Sequence, residues 1–211
     1  MSFHPPRVER VTIPGPIGPL EALLEMPADA DFSRYAVICH PHPLFGGTMD
    51  NKVVHALARA MQELGLVTLR FNFRGVGQSA GAYDNAVGET DDALAVADWA
   101  AARYPDAELW SAGFSFGSFV AYCLALQRSA TRLVTVAPPV QRFDFERLSV
   151  PTCPWLVVQG DQDELVNHEH VLEWTRRLVP PPQVAILAGA EHFFHGRLAD
   201  LKAAVQAFLH G

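Results

Sequence analysis

Ser115 stands at the centre of Gly113-Phe114-Ser115-Phe116-Gly117, between a mostly apolar stretch at 109–112 and an apolar run at 119–126. A strand, a tight Gly-x-Ser-x-Gly turn and a helix, in that order, present a serine hydroxyl at a strand tip as a nucleophile. Side chains at 113 and 117 would collide as the helix folds back beside the strand, so glycine is required at both. The helix N-terminus then lies under the serine and favours negative charge developing beside it. The chemistry this implies is attack on an acyl carbon.

A serine hydroxyl is a poor nucleophile at neutral pH. It needs a base to take its proton and a third group to orient that base. In an open parallel sheet such groups come from loops at the carboxyl ends of strands. Two later loops qualify: Gly160-Asp161-Gln162-Asp163-Glu164-Leu165-Val166, and the segment 188–195, which carries Glu191, His192 and His195. Their order is serine, acid, histidine. Asp161 competes with Asp163 for the acid, and His195 with His192 for the base. Ser111 and Ser118 lie off the turn's tip and are read as structural.

The elements that must position these groups are legible in the hydrophobic pattern. Segments 8–13 and 20–26 read as an antiparallel hairpin around the Pro/Gly-rich connector 14–19. Short apolar runs at 35–39, 66–71, 133–137, 155–159 and 184–187 read as buried strands. Asn51 is suited to cap a helix from 52 to about 64, with Gly65 as its stop. Glu89, Asp91 and Asp92 suit the first turn of a helix reaching about 103, and 169–178 and 198–209 are amphipathic. Strands alternating with helices predict a mostly parallel twisted sheet covered on both faces, in one domain spanning 1–211. The longest irregular segment, 138–154, is too short for a lid domain.

Composition narrows the class. Hydrophobic residues make up 49% and charged residues 18% of 211, which fits a folded globular chain. A net charge of -7 without a Lys/Arg cluster argues against nucleic-acid binding. No apolar run is long enough to cross a membrane, and residues 1–7 lack the apolar core of a signal peptide. Cys39, Cys123 and Cys153 have no metal-type spacing and read as reduced thiols of a cytoplasmic protein. Oligomeric state is not legible.

Together these stretches resemble the small, lidless bacterial α/β hydrolases over nearly the whole chain. The resemblance rests on His40-Pro41-His42-Pro43, Phe73-Arg74-Gly75-Val76-Gly77-Gln78-Ser79 and the Gly-x-Ser-x-Gly turn. Gly160-x-x-Asp163-x-x-Val166 and Ala190-Glu191-His192-Phe193-Phe194 complete it. It implies an α/β-hydrolase fold and a serine hydrolase without cofactor or metal, read as a carboxylic ester hydrolase for small short-acyl substrates. By position it implies Ser115 as nucleophile, Asp163 as acid and His192 as base. The oxyanion donors implied are the N–H groups of Phe116 and His42, with Leu44 in reserve because Pro41 stands where a glycine is usual. Proline itself has no N–H to give. Phe73, Phe114, Phe116, Phe193 and Phe194 are candidates for an apolar acyl site, joined by Leu44 and Phe45, although phenylalanine is more often core.

Other readings compete. His40-x-His42 with Asp161, Asp163, His192 and His195 has the donor types of a zinc hydrolase. Gly75-x-Gly77-x-x-Ala80 has dinucleotide-fingerprint spacing, but Gly81 and a loop follow where a helix should start; 74–81 is read as a structural turn near the cleft. A thioesterase or peptidase would use the same three residues. A non-catalytic binding protein on a hydrolase scaffold is the remaining alternative.

Overall fold

The computed structural model describes residues 6–210, so residues 1–5 of the stretch read for a targeting signal lie outside it. β1 (Arg7–Gly15) and β2 (Gly18–Met26) pair in antiparallel register, Gly15 opposite Gly18, as the predicted hairpin. Then follow β3 (Asp31–Cys39), α1 (Lys52–Gln62), β4 (Leu66–Phe71), α2 (Val87–Arg103), β5 (Glu108–Phe114) and α3 (Phe116–Gln127). β6 (Arg132–Val136), β7 (Trp155–Gly160), α4 (His168–Arg176), β8 (Gln183–Leu187) and α5 (Leu198–His210) complete the order. One eight-stranded sheet runs β1-β2-β4-β3-β5-β6-β7-β8, parallel from β4 onward.

Two cores sandwich the sheet. Ala93, Val96, Val120, Leu124, Val171 and Trp174 bring α2, α3 and α4 onto one face. Val54, Leu57, Met61, Leu201 and Val205 bring α1 and α5 onto the other. β4 and β7 are buried along their full length, which is why each reads as an unbroken apolar run rather than an alternating one.

Boundaries shift where polar residues make local hydrogen bonds. β3 starts at Asp31, four residues before its apolar run. Asp31 accepts from the Ser33 N–H at 2.9 Å and from Arg34 at 2.7 Å, and the pairing with β4 is irregular there. α4 starts at His168 because Asn167 Oδ1 accepts from the Glu169 N–H at 2.8 Å. α2 starts at Val87, so only Glu89 lies in its first turn, accepting from Asp84 and Ala86 N–H groups at 2.8 Å. Asp91 and Asp92 fall beyond it. Asp92 is fully buried and grips Arg74 through two side-chain contacts, 3.0 and 2.8 Å, plus the Arg74 N–H at 2.9 Å.

Candidate active site

β5 delivers Ser115 to the carboxyl edge of the sheet, and the chain turns into α3 within one residue. Ser115 holds φ 53° and ψ −121°, a conformation L-residues rarely take and one that costs about 1–3 kcal/mol. Three contacts hold it: its N–H donates to Val136 O at 2.8 Å, and its carbonyl accepts from the Ser118 N–H and hydroxyl at 2.8 and 2.6 Å. The flanking glycines permit the crossing. A Cβ on Gly113 would lie 2.0 Å from Gly117 O, and one on Gly117 would lie 2.3 Å from Cys39 O.

The loops after β7 and β8 meet this turn. His192 Nε2 lies 3.1 Å from Ser115 Oγ, and His192 Nδ1 lies 2.8 Å from Asp163 Oδ2. A carboxylate only accepts, so Nδ1 carries the imidazole proton and Nε2 is left to receive one from the hydroxyl. Asp163 is fully buried in its side chain and His192 nearly so. Burial works to raise the Asp163 carboxyl, but the His192 hydrogen bond and charge, with the Val166 and Leu165 N–H groups, hold it below the usual range. Those N–H groups donate to Oδ1 at 2.7 and 2.9 Å.

Ser115 and His192 open onto a cavity of about 380 Å³, within the size range of small-molecule sites. Phe45, Phe116, Phe143, Leu165 and Phe193 give it apolar walls.

The α/β hydrolase domain family matches residues 37–207. The chain belongs to the α/β hydrolases. Its structure is similar to that of an α/β serine hydrolase homologue from Coxiella burnetii, with TM-score 0.92 and 46% identity over 95% of this chain and 97% of that one. It is also similar to a lidless α/β serine hydrolase from Xanthomonas campestris, with TM-score 0.93 and 41% identity over 100% and 97% of the two chains. An uncharacterised protein of Rickettsia prowazekii is 35% identical over 92% of this chain and 86% of its own length. The chain is therefore a hydrolase by family, with the expected fold, and among the described residues there is no lid domain.

Within this hydrolase, several expected positions move. Phe114 is fully buried in the core under α1 and α5, its ring centroid 5.1 Å from that of His192, and supports the imidazole from behind instead of lining the cavity. Phe73 and Phe194 are fully buried as well. Leu44 is 67% exposed and off the cavity wall, whereas Phe45, Phe116 and Phe193 do line it. None of residues 74–81 reaches the cavity; that turn packs on the hairpin edge, where Glu21 accepts the Gln78 N–H at 2.9 Å.

The loop after β3 winds about the His42 carbonyl, which accepts from the N–H groups of Phe45 and Gly47 at 3.1 and 3.0 Å. Leu44 N–H donates to His42 Nδ1 at 3.2 Å, so the reserve oxyanion donor is occupied. Among the described residues the N–H groups of His42 and Phe116 have no acceptor, and both residues line the cavity beside Ser115. The His40/His42 metal grouping does not form. His40 Nδ1 donates to Pro41 O at 2.6 Å and Nε2 accepts the Phe73 N–H at 3.0 Å, which commits both nitrogens. Burial pushes its imidazole down to about 3. Asp161 accepts the Gly189 N–H at 2.6 Å, and His195 is exposed and paired with Glu191. Among the described residues no helix is long and apolar enough to cross a membrane.

Two sets of residues escaped the sequence reading. Gln159, at the end of β7, donates to Asp163 Oδ2 at 3.0 Å; one polar residue ending an apolar buried strand was the available signal. Pro139, Arg142 and Phe143 line the cavity from within the irregular segment 138–154, marked in sequence only by its paired prolines.

Proposed function

We propose that this α/β hydrolase is a carboxylic ester hydrolase acting on small, short-acyl substrates through an acyl-enzyme on Ser115. The observation that carries the reading is the continuous line from Ser115 Oγ through His192 to Asp163 at the foot of a cavity. His192 Nε2 takes the hydroxyl proton as Ser115 Oγ attacks the ester carbonyl. Asp163 holds the imidazole in the required tautomer and stabilises its cationic form. The N–H groups of His42 and Phe116 receive the oxyanion. As the tetrahedral intermediate collapses, His192 gives its proton to the leaving alcohol. Water then enters, loses a proton to His192 and releases the acid, and Ser115 regains its hydrogen.

The small cavity and the lack of a lid favour short acyl chains. The substrate is a small molecule, and the chemistry calls on no cofactor. Cys39 and Cys123 are buried thiols, the latter raised by burial to about 11, which fits work in a reducing cytoplasm.

The test is a chain-length series of nitrophenyl esters on wild type and Ser115→Ala. Turnover should favour short acyl groups and fall by roughly three orders of magnitude in the variant. A serine-directed phosphonate should label the peptide containing Ser115. Near-wild-type turnover in Ser115→Ala, or preference for long acyl groups, would overturn the reading.

A further inference from the structure

We propose that Arg142 binds a carboxylate on the acyl part of the substrate, so that the preferred esters are half-esters of short dicarboxylic acids. This rests on the ester-hydrolase reading for which end of the substrate meets Arg142.

The cavity above Ser115 is lined by one arginine and, among the described residues, by no Asp, Glu or Lys. That arginine has no ion pair or side-chain hydrogen bond among the described residues. Its nearest acidic neighbour in sequence, Asp144, is taken by Arg147 at 2.7 Å. Arg142 is exposed at the cavity wall, so its guanidinium has no protein partner to give up before it meets an anion. Its five fixed donors match a carboxylate in a two-pronged contact that an ammonium cannot reproduce.

The backbone beneath Arg142 is held in place. Its N–H donates to Pro139 O at 2.9 Å, and Phe143 beside it stacks on Phe119 at 5.0 Å and meets Phe116 edge-on at 5.4 Å. The base of the side chain is thus ordered before a ligand arrives, which reduces the entropy lost on binding. Arg142 also borders a second groove, but Asp91 and Asp144 line that one, so an anion is favoured only on the Ser115 side. After burial, the charge of Arg142 is the further cause that lowers the His42 imidazole, consistent with a cavity of positive potential.

The chemistry fixes which end carries the charge. His192 must hand its proton to the leaving oxygen, which places the alcohol by His192, Leu165 and Phe193. The acyl chain takes the wall that Phe116, Phe143 and Arg142 share with Phe45 and Pro139. Hydrolysis of monoethyl glutarate would then transfer its glutaryl group to Ser115 Oγ, release ethanol, and finally release glutarate on attack by water.

The experiment compares monoethyl glutarate with ethyl pentanoate, a neutral ester of similar length, in wild type, Arg142→Gln and Arg142→Lys. Wild type should prefer the half-ester by about tenfold or more in kcat/KM. Arg142→Gln should erase that preference, and Arg142→Lys should keep part of it. Equal kcat/KM for the two esters in wild type, or an equal fall for both in Arg142→Gln, would overturn the inference while leaving the ester-hydrolase reading standing. Binding of glutarate to Ser115→Ala, read by calorimetry, separates the two if neither ester is hydrolysed. In that case the ester-hydrolase reading falls. Binding about tenfold weaker in Ser115→Ala/Arg142→Gln would still uphold the carboxylate contact, and equal binding would overturn it.

Discussion

The side-chain amide of Gln159 donates to Oδ2 of Asp163 at 3.0 Å, the same oxygen that faces His192 Nδ1 at 2.8 Å. With the Leu165 and Val166 N–H groups on Oδ1, both carboxylate oxygens are held by donors on their own loop and strand. Gln159 is fully buried and touches no part of the cavity. It is a positioning residue that acts through Asp163. Gln159→Leu should therefore lower kcat about tenfold, the worth of one hydrogen bond to a charged group, with KM little changed. Steady-state kinetics on a short-acyl ester checks this. A rise in KM with kcat intact would assign Gln159 to substrate binding instead.

His40 links the site's framework to pH. Its neutral ring bridges Pro41 O and the Phe73 N–H, joining the loops after β3 and β4. Burial lowers the imidazole from 6.5 to about 3 in the folded chain. The unfolded chain thus takes up a proton between those values that the folded chain refuses. Stability from His40 is complete above about 6.5 and is lost as pH falls towards about 3. At pH 4 the loss should be on the order of 3 kcal/mol. Urea unfolding at pH 7 and pH 4 should show a smaller difference in His40→Gln than in wild type. Parallel pH profiles for the two proteins would contradict this.

What was legible in the sequence was whatever is constrained locally. Ser115 is marked by two glycines that a backbone crossing requires, and the loops carrying Asp163 and His192 follow apolar runs that only buried strands explain. Their convergence then follows from parallel strands ending on one edge. Phe114 was misplaced, although strand alternation puts it with Trp110 and Ala112, on the face that α1 and α5 cover. The wall formed by Pro139, Arg142 and Phe143 was not legible, because no period governs an irregular segment. Its path is set by Phe143 and Phe145 packing on Phe119 and Tyr122, contacts between residues 20 or more positions apart. Asp92 was hidden for a related reason: an acidic residue near a helix start looks like a dipole partner until its distant arginine is known.

That arginine gives the remaining prediction. Arg74 and Asp92 have side chains 6% and 0% exposed, so neither charge can be returned to water when its partner is lost. The Asp92 hydrogen bonds, and secondarily its charge, hold the Arg74 guanidinium above its ordinary value despite burial. Asp92→Ala leaves the buried Arg74 with only its longer 3.7 Å contact to half-exposed Asp84 and with an unpaired N–H, and should cost about 3 kcal/mol of stability. Asp92→Asn keeps acceptor capacity and should cost less. Arg74→Met/Asp92→Leu, which removes both charges of the pair together, should be more stable than Asp92→Ala, because the buried Glu89 that also faces Arg74 keeps the Asp84 and Ala86 N–H groups as donors. Denaturant midpoints at constant slope provide the measurement. Because the pair ties α2 to the turn after β4 and neither residue lines the cavity, kcat/KM of the folded Asp92→Asn protein should stay within about twofold of wild type, as expected for a buried change without a shared partner in the site. A much larger activity loss in a fully folded variant would mean that α2 reports on the site despite the separation between pair and cavity.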